Sequence, residues 1–200
     1  LKHPNPQDFL EISQNKIQLI DQQIQQLQVL KQVFEQRQQS LARSEQIHDG
    51  QIEVESFAAH HYLLTPMPVE DNPMRNMQQI MQHLQSAWEH SSYKAGCGSY
   101  ISLEKALQGQ FDVYDGVFTP VDPQDDDSLF LLRPAGQYLC GYSVGSWDKL
   151  PELYSSMISY AKEHRLALTG NCYEIGLNEF AIARPEEYVA RISILIDPKQ

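Results

Sequence analysis

The chain has 200 residues, a mass of 23.0 kDa, 42% hydrophobic residues and a formal net charge of −11. This length and hydrophobic content predict one domain with an appendage, or two small domains, and exclude a disordered chain. No apolar run reaches the roughly 18 residues of a membrane span, and no signal peptide is visible. The acidic balance argues against this piece binding nucleic acid by itself. The three cysteines include no CxxC pair, which argues against a disulfide framework and favours a cytoplasmic location.

The first region is predicted to be one long helix. From Asp8 to about Gln46 there is no Gly or Pro, and apolar residues recur at alternating spacings of three and four. This seam comprises Leu10, Ile17, Ile20, Ile24, Leu27, Phe34 and Leu41. At 1.5 Å per residue the helix is about 58 Å long, too long for one small domain to cover. We therefore expect residues 1–48 to be a coiled-coil dimerisation arm; the alternative is a helix folded back on its own domain.

Residues 49–200 are predicted to form an α+β domain with an internal duplication. The predicted first half has a strand over Ile52–Leu64, a helix from Asn72-Pro73, and strands near Ala95–Leu103 and Phe111–Val121. The predicted second half has a strand over Gln137–Val144, a helix over 150–161, and strands near Leu168–Gly176 and Val189–Ile196. The two helices begin about 75 residues apart, and each lies between one strand and a following pair. The spacing thus predicts two strand-helix-strand-strand repeats.

Neither group of residues that resembles metal ligands predicts a metal site, and we expect no cofactor. The acidic run in Asp122–Ser128 lacks the glycine and ligand spacing of a calcium loop, so it is predicted to be a solvated joint between the halves. His60 and His61 are neighbours on a strand and point to opposite faces, which argues against a zinc pair.

Two other groups of side chains are predicted to be core. The apolar face of the first short helix comprises Met74, Met77, Met81, Leu84 and Trp88, and is expected to pack inward rather than to bind drugs. Cys97, Cys140 and Cys172 lie in apolar or glycine-rich surroundings and are expected to be buried thiols.

Several segments resemble the GyrI-like effector-binding domain. They are 133–138, 145–154, 173–178, 185–187 and 191–196. Such a domain behind a long Gln-rich helix is similar to the C-terminal part of MerR-family multidrug-responsive transcription activators, and residues 1–6 resemble the end of their winged-helix head. The resemblance implies a mainly antiparallel sheet, a homodimer through the N-terminal helix, no membrane contact, and binding of promoter DNA and RNA polymerase only through the missing head.

The resemblance also places Glu174 where the family holds lipophilic cations with a buried glutamate among aromatic rings. On a strand, Glu174 shares a face with Cys172 and Gly176, which leave open volume above the carboxylate. A cation would relieve an unpaired carboxylate in a low-dielectric pocket, and each aromatic face adds about 0.5 to 2 kcal/mol. The expected aromatic contacts are Trp147, Tyr142, Tyr138, Tyr62, Phe118, Tyr154 and Tyr188.

These residues predict the ligand-sensing and dimerisation portion of a transcription regulator, with no catalytic residues. Each of these side chains also has a purely structural interpretation. A strand glutamate is often solvated or salt-bridged, and strand tyrosines are often half-buried. Gly176 departs from the family, which usually has a tyrosine there. Two other classes stay open: a GyrI-like hydrolase that uses the pocket glutamate with a tyrosine as acid and base, and a protein-binding inhibitor module whose acidic surface imitates DNA.

Overall fold

The computed structural model describes residues 5–67, 73–90, 96–121 and 129–198. The chain divides into two compact units, Leu1–Gln38 and Gln39–Gln200. The helices are α1 (Pro6–Ser44), α2 (Pro73–Glu89), α3 (Leu103–Leu107) and α4 (Leu150–Glu163). The strands are β1 (Ile52–Phe57), β2 (His60–Pro66), β3 (Gly98–Ser102), β4 (Gly116–Val121), β5 (Phe130–Arg133), β6 (Gly136–Val144), β7 (Leu168–Gly176) and β8 (Val189–Ile196). Over these ranges, no helix combines the length and apolarity that crossing a bilayer requires.

Helix α1 is the long helix that the sequence predicts. It begins at Pro6 rather than Asp8, because proline fits the first helical turn. The Asn5 side chain accepts a hydrogen bond from the backbone N–H of Gln7 at 3.1 Å, which caps this end. Along the helix the apolar seam is between 47% and 65% exposed at Leu10, Ile17, Ile20, Ile24, Leu27 and Phe34. A single chain thus leaves the stripe uncovered.

The predicted duplication is present in the antiparallel sheet. Across the described residues, eight strands follow the order β1-β6-β8-β7-β3-β4-β2-β5. One repeat is β2-α2-β3-β4 and the other is β6-α4-β7-β8, and in each repeat the last strand lies between the other two. The repeats meet where β3 pairs with β7, so β7 lies near the middle of the sheet.

The two repeats exchange their edge strands. The strand predicted over Ile52–Leu64 is two strands, β1 and β2, separated only by Ala58 and Ala59. β1 pairs with β6 of the second repeat, whereas β5, which the sequence did not predict, pairs with β2 of the first. The two edges of the sheet approach each other. The Arg133 guanidinium on edge strand β5 lies 4.7 Å from the Phe57 ring on edge strand β1. No turn-forming residue marks Ala58-Ala59, so the pattern could not show the break.

The strands of the first repeat are shorter than predicted. β3 begins at Gly98, and the start predicted at Ala95 lies outside the described residues. The strand predicted over Phe111–Val121 begins only at Gly116; α3 and a loop over 108–115 precede it. The helix cap predicted at Asn72 and the joint predicted over 122–128 also lie outside the described residues.

The two faces of the sheet have different partners. On the face that we call the helix face, α4 packs Leu153, Tyr154 and Met157 with Leu139, Ile192 and Ile194. Gly141 allows this approach, because a Cβ there would lie 2.4 Å from the sulfur of Met157. The other face, here called the tyrosine face, carries Tyr62, Tyr100, Tyr138, Tyr142 and Tyr173, as the strand registers require.

The predicted packing of the apolar face of α2 is correct at Leu84 and Trp88, which are half-buried, but wrong at its three methionines. Met74, Met77 and Met81 are 78%, 57% and 52% exposed. The buried side of the helix is adjacent to this face: His83 and Ala87 are buried there, and Trp88 packs with Ala87, Leu63 and Val121. Burial was also predicted for three thiols; Cys140 and Cys172 are buried, while Cys97 is only half-buried.

His83 is held in a buried chain of hydrogen bonds between α2 and the sheet. The Thr119 hydroxyl donates to the carbonyl of Gly96 at 3.2 Å, so His83 Nε2 donates to Thr119 Oγ1 at 2.9 Å. His83 Nδ1 then accepts from the Thr65 hydroxyl at 2.7 Å. Burial lowers the pKa of His83 to about 4, and the ring is therefore neutral at pH 7.

Candidate functional site

A buried carboxylate, Glu174, lies at the centre of the helix face. Its side chain is on β7 and has no solvent exposure. The Tyr154 hydroxyl donates to Oε1 at 2.6 Å and the Tyr114 hydroxyl donates to Oε2 at 2.9 Å. Burial raises the pKa of Glu174 to about 7, although both tyrosine hydrogen bonds act to lower it. Among the described residues, no cation forms an ion pair with this carboxylate.

Three elements position these groups. β7 is paired on both sides, and Glu174 lies opposite Ser99 of β3 and Ile192 of β8. Tyr154 is fully buried on α4, and the Phe111 ring stacks on it at 5.1 Å between centroids. Burial raises the pKa of both Tyr114 and Tyr154 above the ordinary phenol value, and the nearby Glu174 charge adds to the shift. The two phenols therefore stay protonated donors near pH 7.

Tyr188 connects this region to an open cavity. Its ring lies 5.0 Å from the ring of Trp147, and both rings line a cavity of about 440 Å³ with Ile182 and Pro185. The hydroxyl of Tyr188 reaches over β7, because a Cβ at Gly176 would lie only 2.4 Å from it. A side chain at position 176 would therefore require Tyr188 to move, and Gly176 stands where the resemblance implies a tyrosine.

The structure divides the predicted aromatic contacts between the two faces of the sheet. Tyr154 and Tyr188 lie on the side of Glu174, and Trp147 lies beside Tyr188 with 46% exposure. The remaining four residues are on the tyrosine face: Tyr62, Phe118, Tyr138 and Tyr142. Tyr138, Cys140 and Tyr142 share a face as predicted, but that face points away from Glu174.

Sequence reasoning missed Tyr114 and Phe111. Both residues lie in the loop after α3, which the pattern presented as a strand. Their roles depend on how the loop folds back onto β7 and α4. No periodicity within 108–115 signals this contact.

The described part of the chain contains no group of three or more His, Cys, Asp or Glu side chains that could hold a metal ion. The carboxylate, the two phenols and the aromatic rings around them are suited to binding an organic molecule or to moving a proton.

The domain is of the α+β class: an antiparallel sheet of two strand-helix-strand-strand repeats has a buried carboxylate at its centre. The sequence matches the GyrI-like small molecule binding domain over residues 58–197, and the chain belongs to this family. No curated protein matches the sequence.

The fold is similar to solved structures with low sequence identity. The crystal structure of the EcmrR C-terminal domain has a TM-score of 0.53 at 12% identity, over 74% of this chain and 98% of that one. The cryo-EM structure of the EcmrR–DNA complex in EcmrR-RPo has a TM-score of 0.54 at 12% identity, over 94% of this chain and 71% of that one. The structure of SAV2435 bound to tetraphenylphosphonium has a TM-score of 0.45 at 10% identity, over 74% of this chain and 94% of that one. At these identities the likeness to EcmrR shows a shared fold.

Proposed function

We propose that the chain is the ligand-sensing and dimerisation portion of a MerR-like, multidrug-responsive transcription regulator, and that it binds lipophilic cations at Glu174. The observation that carries this proposal is the burial of Glu174 with only neutral hydrogen-bond donors around it. An ionised carboxylate without a countercharge is unfavourable in a low-dielectric interior. A cationic ligand supplies that countercharge.

Two pairs of aromatic rings on this face offer surface for such a cation. Tyr154 and Phe111 form one stacked pair, and Trp147 and Tyr188 form another beside the open cavity. The cavity volume falls within the usual range for small-molecule sites. Because Glu174 has no exposure, the ligand enters from this cavity by displacing Tyr188, or from the loop by displacing Tyr114.

The regulatory part of the proposal depends on α1 and on the fold. α1 presents an uncovered apolar seam, which we propose pairs with the same helix of a second copy. EcmrR, which has a similar fold, is solved in complex with DNA. In this proposal DNA and RNA polymerase are bound through a winged-helix head and not by the acidic domain. Ligand acts by population shift, without catalysis, to the extent that it binds the activating arrangement more tightly.

Thermal unfolding with a matched pair of probes tests ligand binding at Glu174. Tetraphenylphosphonium is the cationic probe, and triphenylphosphine oxide is the neutral one. A ligand at 100 times its dissociation constant adds about 2.7 kcal/mol to the free energy of unfolding, which raises the midpoint measurably. We expect a shift with the cation alone, its loss in Glu174→Gln, and its retention in Glu163→Gln, the same substitution at an exposed site on α4. A shift that is equal for both probes, or that survives in Glu174→Gln, would contradict the electrostatic role.

A second candidate function is hydrolysis of a reactive small molecule. Glu174, with a pKa of about 7 and two phenols in hydrogen-bond contact, matches a general acid–base pair. The test is addition of water to an aryl epoxide, with the diol as product. Turnover that disappears in Glu174→Gln and falls in Tyr154→Phe supports the hydrolase, and absence of turnover with cation binding retained supports the sensor.

A further inference from the structure

Two arginines on the tyrosine face have guanidinium groups that are only partly bonded. Arg133 ends β5 and is 6% exposed, and Arg191 lies on β8. The Nε atoms of both side chains are buried and have no hydrogen-bond partner. Among the described residues neither arginine forms an ion pair.

The two guanidiniums lie against one aromatic ring where the edges of the sheet approach each other. Cζ of Arg133 is 4.7 Å and Cζ of Arg191 is 4.9 Å from the centre of the Phe57 ring. Arg133 also lies 4.8 Å from the ring of Tyr138 and 5.4 Å from that of Tyr62. Nη2 of Arg133 donates a hydrogen bond to the carbonyl of Ala58 at 3.2 Å, and the guanidinium also hydrogen-bonds to the side chain of Tyr62. Both cations therefore lie against aromatic rings, and neither is in ion-pair contact with a carboxylate of the described residues.

Two carboxylates of β1 on this side of the sheet have other partners. Glu53 accepts from Arg43 and from the Gln51 amide, and Glu55 accepts from the Tyr142 hydroxyl. Contact with aromatic faces recovers part of the cost of burying a guanidinium, but it does not replace an anion. An arginine pair without a carboxylate in ion-pair contact, one member of which (Arg133) is buried, is unusual in a chain with a net charge of −11.

We propose that Arg133 and Arg191 form a second ligand site, which takes the carboxylate or phosphate group of a small aromatic molecule. The unused Nε edge of a guanidinium can pair with two oxygens of such a group, and this geometry is specific to arginine. Phe57, Tyr62 and Tyr138 supply apolar surface for the aromatic part of the ligand.

Two exposed links adjoin Arg133: Ala58-Ala59 between β1 and β2, and Pro134-Ala135 between β5 and β6. In this proposal the ligand reaches the guanidiniums by displacing these links. The site also borders the first one through the sheet, because Arg191 lies opposite Ile175, the residue after Glu174. In this proposal the domain binds cations on the helix face of the sheet and anions on the tyrosine face.

The proposal is tested by titrating the full chain with benzoate, phenyl phosphate and the neutral benzamide. Calorimetry measures affinity, and NMR of the arginine Nε–H groups reports contact with the guanidiniums directly. We expect one or both anions to bind and to shift the Nε–H signals of Arg133 and Arg191, and benzamide to leave them unchanged. Preference for benzoate identifies a carboxylate ligand, and preference for phenyl phosphate identifies a phosphate ligand.

Variants separate this site from a purely structural role of the arginines. Arg191→Gln, at the less buried of the two positions, is expected to weaken anion binding at least about tenfold, as loss of a charge-assisted bidentate contact does. Arg165→Gln, at an exposed arginine after α4, should not change it. Absence of binding by both anions, or Nε–H signals that do not move at saturation, would overturn the proposal. Cation binding at Glu174 is measured separately, so its failure does not affect this result.

Discussion

The hydroxyl of Tyr154 lies 2.6 Å from Oε1 of Glu174, and both side chains have no solvent exposure. The contact joins α4 to the central strand β7 of the sheet. It also opposes the effect of burial on the pKa of Glu174, because a phenol that donates a hydrogen bond stabilises the carboxylate.

Replacing Tyr154 by phenylalanine should raise the pKa of Glu174 above about 7, because one of the two hydrogen bonds that lower it is lost. At pH 8 the free energy of unfolding should fall by about 1.5 to 3 kcal/mol, the range for a hydrogen bond to a charged group. The pKa is measured by NMR titration of the carboxyl carbon. Tyr160→Phe, on the same helix but outside this network, is the control and should leave the titration unchanged.

Glu174 should make the protein less stable as the pH rises. Its carboxyl keeps a proton up to about pH 7 in the folded state but loses it near pH 4.5 when unfolded. Its stabilising contribution is therefore complete below pH 4.5 and is lost as the pH rises to 7, a change of about 3 kcal/mol. Glu174→Gln cannot ionise, so urea unfolding should show it to be more stable than the wild type at pH 8 and not at pH 4.5. An equal effect of the substitution at both pH values would exclude this origin.

His83 should make the protein less stable as the pH falls, over part of the same pH range. Its pKa is about 4 in the folded state and near 6.5 when unfolded, so stability falls as the pH drops from 6.5 to 4. The loss is about 2 to 3 kcal/mol. In the Glu174→Gln background, His83→Gln should flatten the remaining acid dependence of the unfolding free energy. His164→Gln, at an exposed histidine, serves as the comparison and should not flatten it.

Two glycines near the site should differ in their tolerance of alanine. A Cβ at Gly98 would lie 2.1 Å from the backbone oxygen of Glu174, so Gly98→Ala must displace a strand and should cost more than about 3 kcal/mol. A Cβ at Gly176 would meet only the ends of the Tyr188 and Glu179 side chains, which can move. Gly176→Ala should therefore cost about 1 to 2 kcal/mol. Chemical denaturation of both variants measures the difference, and equal costs would contradict the proposed strand contact.

The seam of α1 should control the oligomeric state. Charges at Ile20 and Leu27 would be buried in a paired helix, so the double variant Ile20→Glu/Leu27→Glu should weaken the proposed dimer at least about 100-fold. Sedimentation velocity measures this change. The matched variant Gln22→Glu/Gln26→Glu adds the same charge away from the seam and should sediment as the wild type does. A wild-type chain that is monomeric at all concentrations would refute the pairing.

The elements with strong periodicity could be predicted from the sequence. α1 and the second repeat have long amphipathic or apolar patterns, and the structure places them within a few residues of the prediction. The face of α2 could not be predicted, because its most apolar side carries Met77 and Met81, whereas the sheet contacts His83 and Ala87. A pattern identifies an apolar side, but it does not show which side meets the rest of the fold.

For the candidate site, the sequence located the carboxylate but only part of its surroundings. The position of Glu174 followed from the motif, and the alternation on β6 correctly grouped Tyr138 with Tyr142. Which face of β6 matches that of β7 depends on pairing through β8, a non-local property that the pattern of a single strand does not contain. The contact with Tyr114 depends similarly on a loop.

The exchange of edge strands determines how α1 is connected to the second repeat, which carries Glu174. α1 leads into β1, which pairs with β6 of the second repeat, although the first repeat comes next in the sequence. From Glu174 the hydrogen-bonded path to the end of α1 runs across β8, β6 and β1, and bypasses the whole first repeat. The Ser44 end of α1 belongs to the same compact unit as the sheet, so strand pairing connects β7 to it without passing through the first repeat. A chain cut between the repeats would leave each half without the strand that completes its sheet.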